Sequence, residues 1–318
     1  MKDIEPKPLF IERMQELLKE DFQNYMKILE KAPVKSIRCN TLKISPNSLK
    51  ERLEKKGWRI KQPFKNYPEI MIIENEILPG ELGRSLEHLL GYYYVQEIAS
   101  MLPVIALKPE PSQAILDLCA SPGSKTTQIA SEMKNCGTLI ANEINLGRIK
   151  ILASNTERCG VTNCIITKKE GSSFCRRVGE RGFEFDKILV DAPCSGEGTL
   201  RSTALNYKIW NLNLIKRFSG IQKYLLFSAV GILKSGGEIV YSTCTHAPEE
   251  NEEVIDFVLN RFGDRLKIEK INLPVKSRPG ITVWNGKKYN KEVAKCCRIY
   301  PQDNNTEGFF IAKLKKIK

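Results

Sequence analysis

Histidine is almost absent: the 318-residue chain carries two, His88 and His246. A zinc cage of histidine and cysteine therefore has poor raw material, although the cysteines number ten. No two of those cysteines form a C-x-x-C pair, the usual spacing of redox thiols and zinc ribbons. The longest mainly apolar stretch, Ile98 to Leu107, falls well short of the roughly 20 residues a membrane span needs, and Ser100 and Pro103 interrupt it. The amino-terminal segment MKDIEPKPLF is charged and lacks a signal-like apolar region. Internal repeats and low-complexity tracts are missing too. A cytoplasmic protein with no membrane partner and no bound metal is the expectation, its cysteines mostly small buried hydrophobes.

What is present supports a substantial core, with 42% hydrophobic and 27% charged residues. Fifty Lys and Arg against 37 Asp and Glu give a net charge of +13. That charge is unevenly spread: 16 basic and 12 acidic residues in 1–80, 20 and 21 in 81–264, and 14 and 4 in 265–318. A near-neutral centre between basic flanks suits a protein that lays a polyanion across a catalytic middle.

Helical spacing of Phe10, Met14, Leu17, Leu18, Met26 and Leu29 predicts an amphipathic helix over 9–29. SIRCNTLKI then alternates like a strand, and LKERLEKKG reads as a helix closed by Gly57. Short strands are expected near Trp58–Ile60 and Met71–Ile73, completing a small α+β unit. From about residue 85 strands and helices alternate. The strands are Ala114–Cys119, Thr138–Glu143, Asn163–Thr167, Asp186–Asp191 and Glu238–Ser242, and the helices Thr126–Met133, Arg148–Cys159, Leu212–Leu233 and Pro248–Arg261. This rhythm argues for an α/β fold with a mostly parallel sheet covered on both faces. Lys295–Tyr300 and Gly308–Leu314 read as late strands at one edge.

Ligands of open α/β sheets sit beyond the C-terminal strand ends. The first strand runs into Cys119, Ala120, Ser121, Pro122, Gly123, Ser124 and Lys125, where small residues let the backbone approach a ligand at a helix start. Cys119 stands where a P-loop needs its first glycine and Ser124 precedes Lys125, so this is neither a P-loop nor G-x-G-x-x-G. Glu143, ending the second strand, is placed to take ribose hydroxyls. Asp191-Ala192-Pro193-Cys194 ends the fourth strand and Ser242-Thr243-Cys244 the fifth, so two thiols lie on the ligand side of the sheet. Such a pair suits chemistry in which one thiol attacks and the other helps undo the adduct.

CASPGSKTT, DAPCSG, YSTCT and PEENEEVI together resemble the RNA (cytosine-5) methyltransferases of the Sun/RsmB type, from about Tyr94-Val95-Gln96-Glu97 through GFFIAKLKK. RCNTLKI is similar to that family's N-terminal, RNA-facing segment, and the chain is most similar to compact archaeal members that methylate tRNA. The resemblance implies a Rossmann-like class I methyltransferase fold with a mostly parallel, seven-stranded sheet at 85–318, preceded at 1–84 by a helix and a small α+β RNA-binding domain. It implies S-adenosyl-L-methionine as cofactor, held by Cys119 through Lys125, Glu143, Arg148 and Asp191. Glu170 stands at the spacing of an adenine-contacting acid, although in KKEGSS it is equally well a solvated residue. Cys244 would attack C6 of cytosine, Cys194 would assist proton removal and release, Asp191 would bond the N3/N4 edge, and Lys125 would tune a thiol or Asp191. RNA is the implied partner, most simply tRNA with ribosomal RNA or an idle assembly factor as alternatives. The chain would be a monomer, with a small chaperone-like accessory protein conceivable. Arg201, Lys208 and Trp210 are expected RNA-side contacts, and the PEENE carboxylates a helix start without catalytic duty.

Overall fold

Along Phe185–Asp191 successive apolar side chains go to opposite faces: Ile188 and Val190 join one buried cluster, Leu189 the other. The same split separates Ile239 and Tyr241 from Val240, and Leu116 from Ile115. These are strands buried on both sides, so a sheet at mid-layer is the physical consequence. The computed structural model describes residues 5–317; residues 1–4, which open the charged amino-terminal segment, and residue 318 lie outside the described residues.

Four strands form a small antiparallel sheet: β1 (Ser36–Cys39), β2 (Ile60–Lys61), β3 (Ile70–Ile73) and β4 (Tyr93–Val95), in the order β2-β3-β1-β4. The large sheet contains β5 (Ala114–Asp117), β6 (Thr138–Glu143), β7 (Cys164–Lys168), β8 (Phe185–Asp191), β9 (Leu233–Thr243), β10 (Leu266–Glu269), β11 (Arg278–Pro279), β14 (Cys297–Ile299) and β15 (Phe309–Lys316). A hairpin, β12 (Val283–Trp284) and β13 (Lys287–Lys288), stands apart. The large sheet runs β7-β6-β5-β8-β9-β15-β14-β11, with β10 against β15. Strands β5 to β9 pair in parallel, and β15 is antiparallel to β9 and β14. The expected seven strands are the run from β7 to β14; the short β10 and β11 extend it.

The chain leaves β5 for β6 and β7 on one side and returns to β8 on the other, so the switch point lies between β5 and β8. Helices Gly171–Gly179, Leu212–Gly231 and Glu252–Phe262 cover one face, and Ile98–Leu107 with Ser124–Glu132 the other. Pro103 does not end its helix. Nine of the ten residues of Ile98–Leu107 are buried, and that burial outweighs one missing N–H.

Two boundaries differ from the sequence reading. The small sheet takes its fourth strand from Tyr93–Val95, past residue 84, because β1 has an unpaired edge that β4 fills through Ile37↔Val95 and Cys39↔Tyr93. The helices Pro8–Leu18 and Phe22–Leu29 pack away from that sheet, against Leu200, Tyr207, Trp210 and Tyr300. Phe10 meets Tyr207 and Trp210 edge to face at 5.3 and 5.4 Å.

Candidate active site

At the switch point a cavity of about 500 Å³ opens. Its wall includes Asp117 from the end of β5, Cys119–Pro122, Ser124 and Lys125 from the following loop and helix, Asp191 from β8, and Cys244. The opposite wall comes from the small domain and its linker, notably Lys35, Ser36, Gln96 and Glu97. Gly123, Glu143, Arg148, Glu170 and Cys194 lie outside this wall.

The loop is fixed from several sides. Ala120 N donates to Asn142 O at 2.9 Å, and Gly123 N to Ala120 O at 2.8 Å. Gly123 caps the helix at φ +105°, where an added Cβ would also press on Leu152 at 3.1 Å. Asp117 is buried; Thr126 Oγ1 donates to its Oδ2 at 2.7 Å, while its Oδ1 has no partner among the described residues. Burial, reinforced by the nearby Asp191 charge, raises its carboxyl to about 7. Glu143 is buried at the end of β6, accepts from Asn145 N at 2.9 Å and faces Arg148 Nε at 3.6 Å. Arg148 in turn donates to Ser121 O at 2.6 Å. Glu170 is exposed, and its oxygens accept from Ser172 N and Ser173 N at 2.9 and 2.7 Å, so the group sketched against adenine already caps its own helix.

Lys125 and Asp191 form a close pair, Nζ to Oδ2 at 2.7 Å, with the lysine buried. Lys125 also donates to Ser100 Oγ at 3.0 Å and lies 5.2 Å from the Phe309 ring centre. Ser242 Oγ donates to Asp191 Oδ1 at 2.6 Å. The aspartate is thus held at both oxygens, one edge open to the cavity. Cys194 Sγ and Cys244 Sγ are 3.1 Å apart. The Cys244 thiol beside it, together with burial, pushes the Cys194 thiol well above its ordinary range.

The motif PEENE does more than start a helix, which begins only at Glu252. Glu250 is buried and accepts from Ser195 N at 3.0 Å and from Gln222 Nε2 at 2.8 Å; Gln222 also donates to Pro193 O. Burial raises its carboxyl to about 8. Glu250 therefore grips the loop carrying Cys194 from beneath. Glu252 pairs with the buried Arg298 at 2.5 Å.

Several expected RNA contacts are internal instead. Trp210 is buried and donates to Glu197 Oε1 at 2.7 Å. Arg201 binds the carbonyls of Ala32 and Thr306, both at 2.9 Å. Lys208 is exposed. In RCNTLKI, Arg38 is buried and donates to Ser124 O at 2.7 Å and Thr127 Oγ1 at 2.9 Å, bracketing the small domain to the helix Ser124–Glu132. Part of the basic carboxy-terminal stretch is engaged internally. β15 starts at the cavity and runs away from it, since Phe310 faces Thr243 and Lys315 faces Glu238. Lys313 pairs with Glu238 at 3.0 Å, and Arg278 with Asp303 at 2.6 Å.

Sequence reasoning passed over Asp117, Ser242, Phe309 and Glu250. Asp117 was findable by the strand-end logic that picks out Glu143; the others depend on tertiary packing.

A cavity at the switch point of a mostly parallel sheet, with acidic groups at the strand ends, is where this class of α/β fold binds its ligand. Residues 104–315 match the family of 16S rRNA methyltransferases RsmB/F, and residues 7–98 the N-terminal domain of 16S rRNA methyltransferase RsmF. The chain belongs to the RsmB/F family and is an RNA (cytosine-5)-methyltransferase that uses S-adenosyl-L-methionine. It is 40% identical over 306 residues to the tRNA (cytosine(49)-C(5))-methyltransferase of Pyrococcus abyssi (strain GE5 / Orsay), covering 96% of this chain and 95% of that one. It is 38% identical to the ribosomal RNA small subunit methyltransferase F of Vibrio campbellii, covering 97% of this chain and 63% of the relative. A crystal structure of a methyltransferase homolog from Pyrococcus horikoshii superposes with a TM-score of 0.85 at 34% identity, covering 98% and 95% of the two chains. NSun6 from Pyrococcus horikoshii, solved with the S-adenosylmethionine analogue SFG, gives 0.82 at 26% identity and 98% of both chains. No helix among the described residues is long and apolar enough to cross a membrane.

Proposed function

We propose that the protein methylates C5 of a cytosine in tRNA through a covalent bond between Cys244 and C6 of the base. The observation that carries this reading is the pair of thiols at neighbouring strand ends, 3.1 Å apart, of which Cys244 lines the cavity beside Asp191 and Lys125. Near end-to-end correspondence with the Pyrococcus abyssi tRNA enzyme favours tRNA. Ribosomal RNA is the second reading, supported by the Vibrio relative.

The cavity suits the cofactor. The partnerless Oδ1 of Asp117 is a buried acceptor for a cationic group, and the small residues Ala120 and Ser121 leave room beside it. Cys119 through Lys125 would hold the methionine part, and Glu143 with Arg148 the ribose side. S-adenosylmethionine supplies an electrophilic methyl group. C5 of cytosine is too weak a nucleophile to accept it until a thiolate adds at C6 and makes C5 enamine-like. Cys244 lines the cavity while Cys194 lies outside its wall, with its thiol raised by the neighbouring Cys244 and by burial, so Cys244 is the better placed thiol to attack. Asp191, oriented by Lys125 and Ser242, accepts from the base's amino edge as charge develops in the ring. With Cys244 bonded to the ring, the thiol that raised Cys194 is gone, and Cys194 as a thiolate takes the C5 proton; the C5–C6 double bond re-forms as the C6–S bond breaks, and Cys244 leaves as a thiolate. The base must leave its stack to enter such a pocket.

Incubation with a labelled methyl donor and separate tRNA, ribosomal RNA and DNA pools tests the substrate. Label in tRNA supports the proposal; label confined to ribosomal RNA selects the second reading, and none in any RNA overturns both.

A further inference from the structure

One buried carboxylate in the cavity wall has no hydrogen-bond partner among the described residues. Glu307 is 3% exposed, and neither carboxylate oxygen completes a hydrogen bond. Its neighbours are all otherwise engaged. Glu97 caps the helix Ile98–Leu107, donated to by Ala99 N at 2.7 Å, and accepts from the backbone N–H of Glu307 at 3.0 Å. Arg201, the nearest cation, spends its guanidinium on Ala32 O, Thr306 O and Asn305 Oδ1. Ser202 and Arg201 lie near enough to favour the charged carboxylate, but Ser202 gives both its hydroxyl and its backbone N–H to Thr199 O, each at 3.2 Å. An unpaired buried acceptor is costly to keep, so one retained in the wall of the cavity points to a ligand.

The strand order says which part of the ligand. Asp191 ends β8 and Cys244 follows β9, and Glu307 precedes β15, so the nucleophile stands between the two acids. Backbone bonds lock this side: Gly308 N donates to Gly198 O at 2.8 Å, and Gly198 N to Cys244 O at 2.9 Å. In cytosine, C6 is bonded to N1, which carries the sugar, while N3 lies across the ring. With C6 at Cys244 and the N3/N4 edge toward Asp191, an acid beyond Cys244 on the other flank faces the sugar. We infer that Glu307 accepts a hydrogen bond from the 2′-hydroxyl of the target cytidine, which makes it a specificity-determining residue for ribose over deoxyribose. This rests on reading the cavity as the base pocket.

The test uses the full chain and the RNA transcript methylated in the pool assay, with the target nucleotide placed as cytidine or as 2′-deoxycytidine. Single-turnover methyl transfer is measured for the wild type, Glu307→Ala and Glu307→Gln, with cofactor affinity in parallel. On cytidine, Glu307→Ala should lose about 10- to 100-fold and Glu307→Gln, which keeps an acceptor oxygen, clearly less. On 2′-deoxycytidine the wild type should lose a similar factor and Glu307→Ala almost nothing more. Cofactor affinity should be unchanged, and the melting temperature of Glu307→Ala equal or higher, since an unpaired buried acceptor is removed. An equal penalty for Glu307→Ala on both nucleotides, or none on cytidine, overturns the inference. Cys244→Ala in the same assay reports on the pocket itself: full activity there removes the underlying reading, whereas a dead Cys244→Ala with an indifferent Glu307→Ala removes only this one.

Discussion

The two cysteines almost touch, yet they are held in unlike ways. Cys244 directly follows the last residue of β9, whose partner across the ladder is Phe310, and its carbonyl is bonded to Gly198. Cys194 stands three residues past the end of β8, in a loop secured by side chains, chiefly Glu250 and Gln222. One thiol is positioned by sheet geometry, the other by a buried acid. That difference matches two chemical tasks. A group that attacks a ring carbon must sit within a few tenths of an ångström of one line of approach, and backbone ladders give such placement. A group that handles a proton tolerates more play.

The largest effect expected short of removing a thiol falls on the Cys244 side. A Cβ at position 308 would come within 2.3 Å of the His246 ring and 3.0 Å of Gly198 Cα. Gly308→Ala should therefore cost about 1–3 kcal/mol in denaturant unfolding and lower single-turnover methylation by orders of magnitude. A variant with wild-type rate would break the claim that sheet geometry aligns Cys244.

On the Cys194 side, Glu250→Gln should leave the first turnover nearly intact and slow later ones. Its pH signature is separate. The folded protein raises this carboxyl to about 8, so the native state holds a proton that the unfolded chain releases above the usual glutamate range. The stability contribution is complete at low pH and lost as pH rises toward 8. Asp117 and Glu97, each raised to about 7 chiefly by burial, act in the same direction. Melting temperature should fall from pH 5 to pH 8, and Glu250→Gln should flatten the upper part of that slope; an unchanged slope would show that Glu250 does not titrate there.

The smallest effects concern RNA grip. Lys35 lines the cavity, whereas Lys315 lies at the opposite end of the sheet. Lys35→Ala should weaken RNA binding a few-fold at low salt and flatten its salt dependence, and Lys315→Ala should do neither. Equal losses would place Lys315 on the RNA surface as well.

The parallel strands were legible because their apolar runs sit between clear turn signals: Thr138–Glu143 is found as read, and Asp186–Asp191 starts one residue earlier, at Phe185. The strand-end thiols and Lys125 were legible for the same reason, since a strand's end fixes which side of the sheet its next residues occupy. Trp210, Arg201 and the RCNTLKI arginine, Arg38, were misread because a single sequence shows their chemistry but not their partners; each spends its hydrogen bonds on residues from other segments. Glu307 hid in the turn-rich PQDNNTEG, where a polar residue is ordinarily solvated.

The most direct test of the division between the two thiols is a denaturing gel of RNA incubated with the protein and S-adenosylmethionine. Cys194→Ala should accumulate a denaturation-resistant protein–RNA band, and Cys244→Ala and the double variant should show none and transfer no methyl group. A band from Cys244→Ala that vanishes in Cys194→Ala would contradict the account.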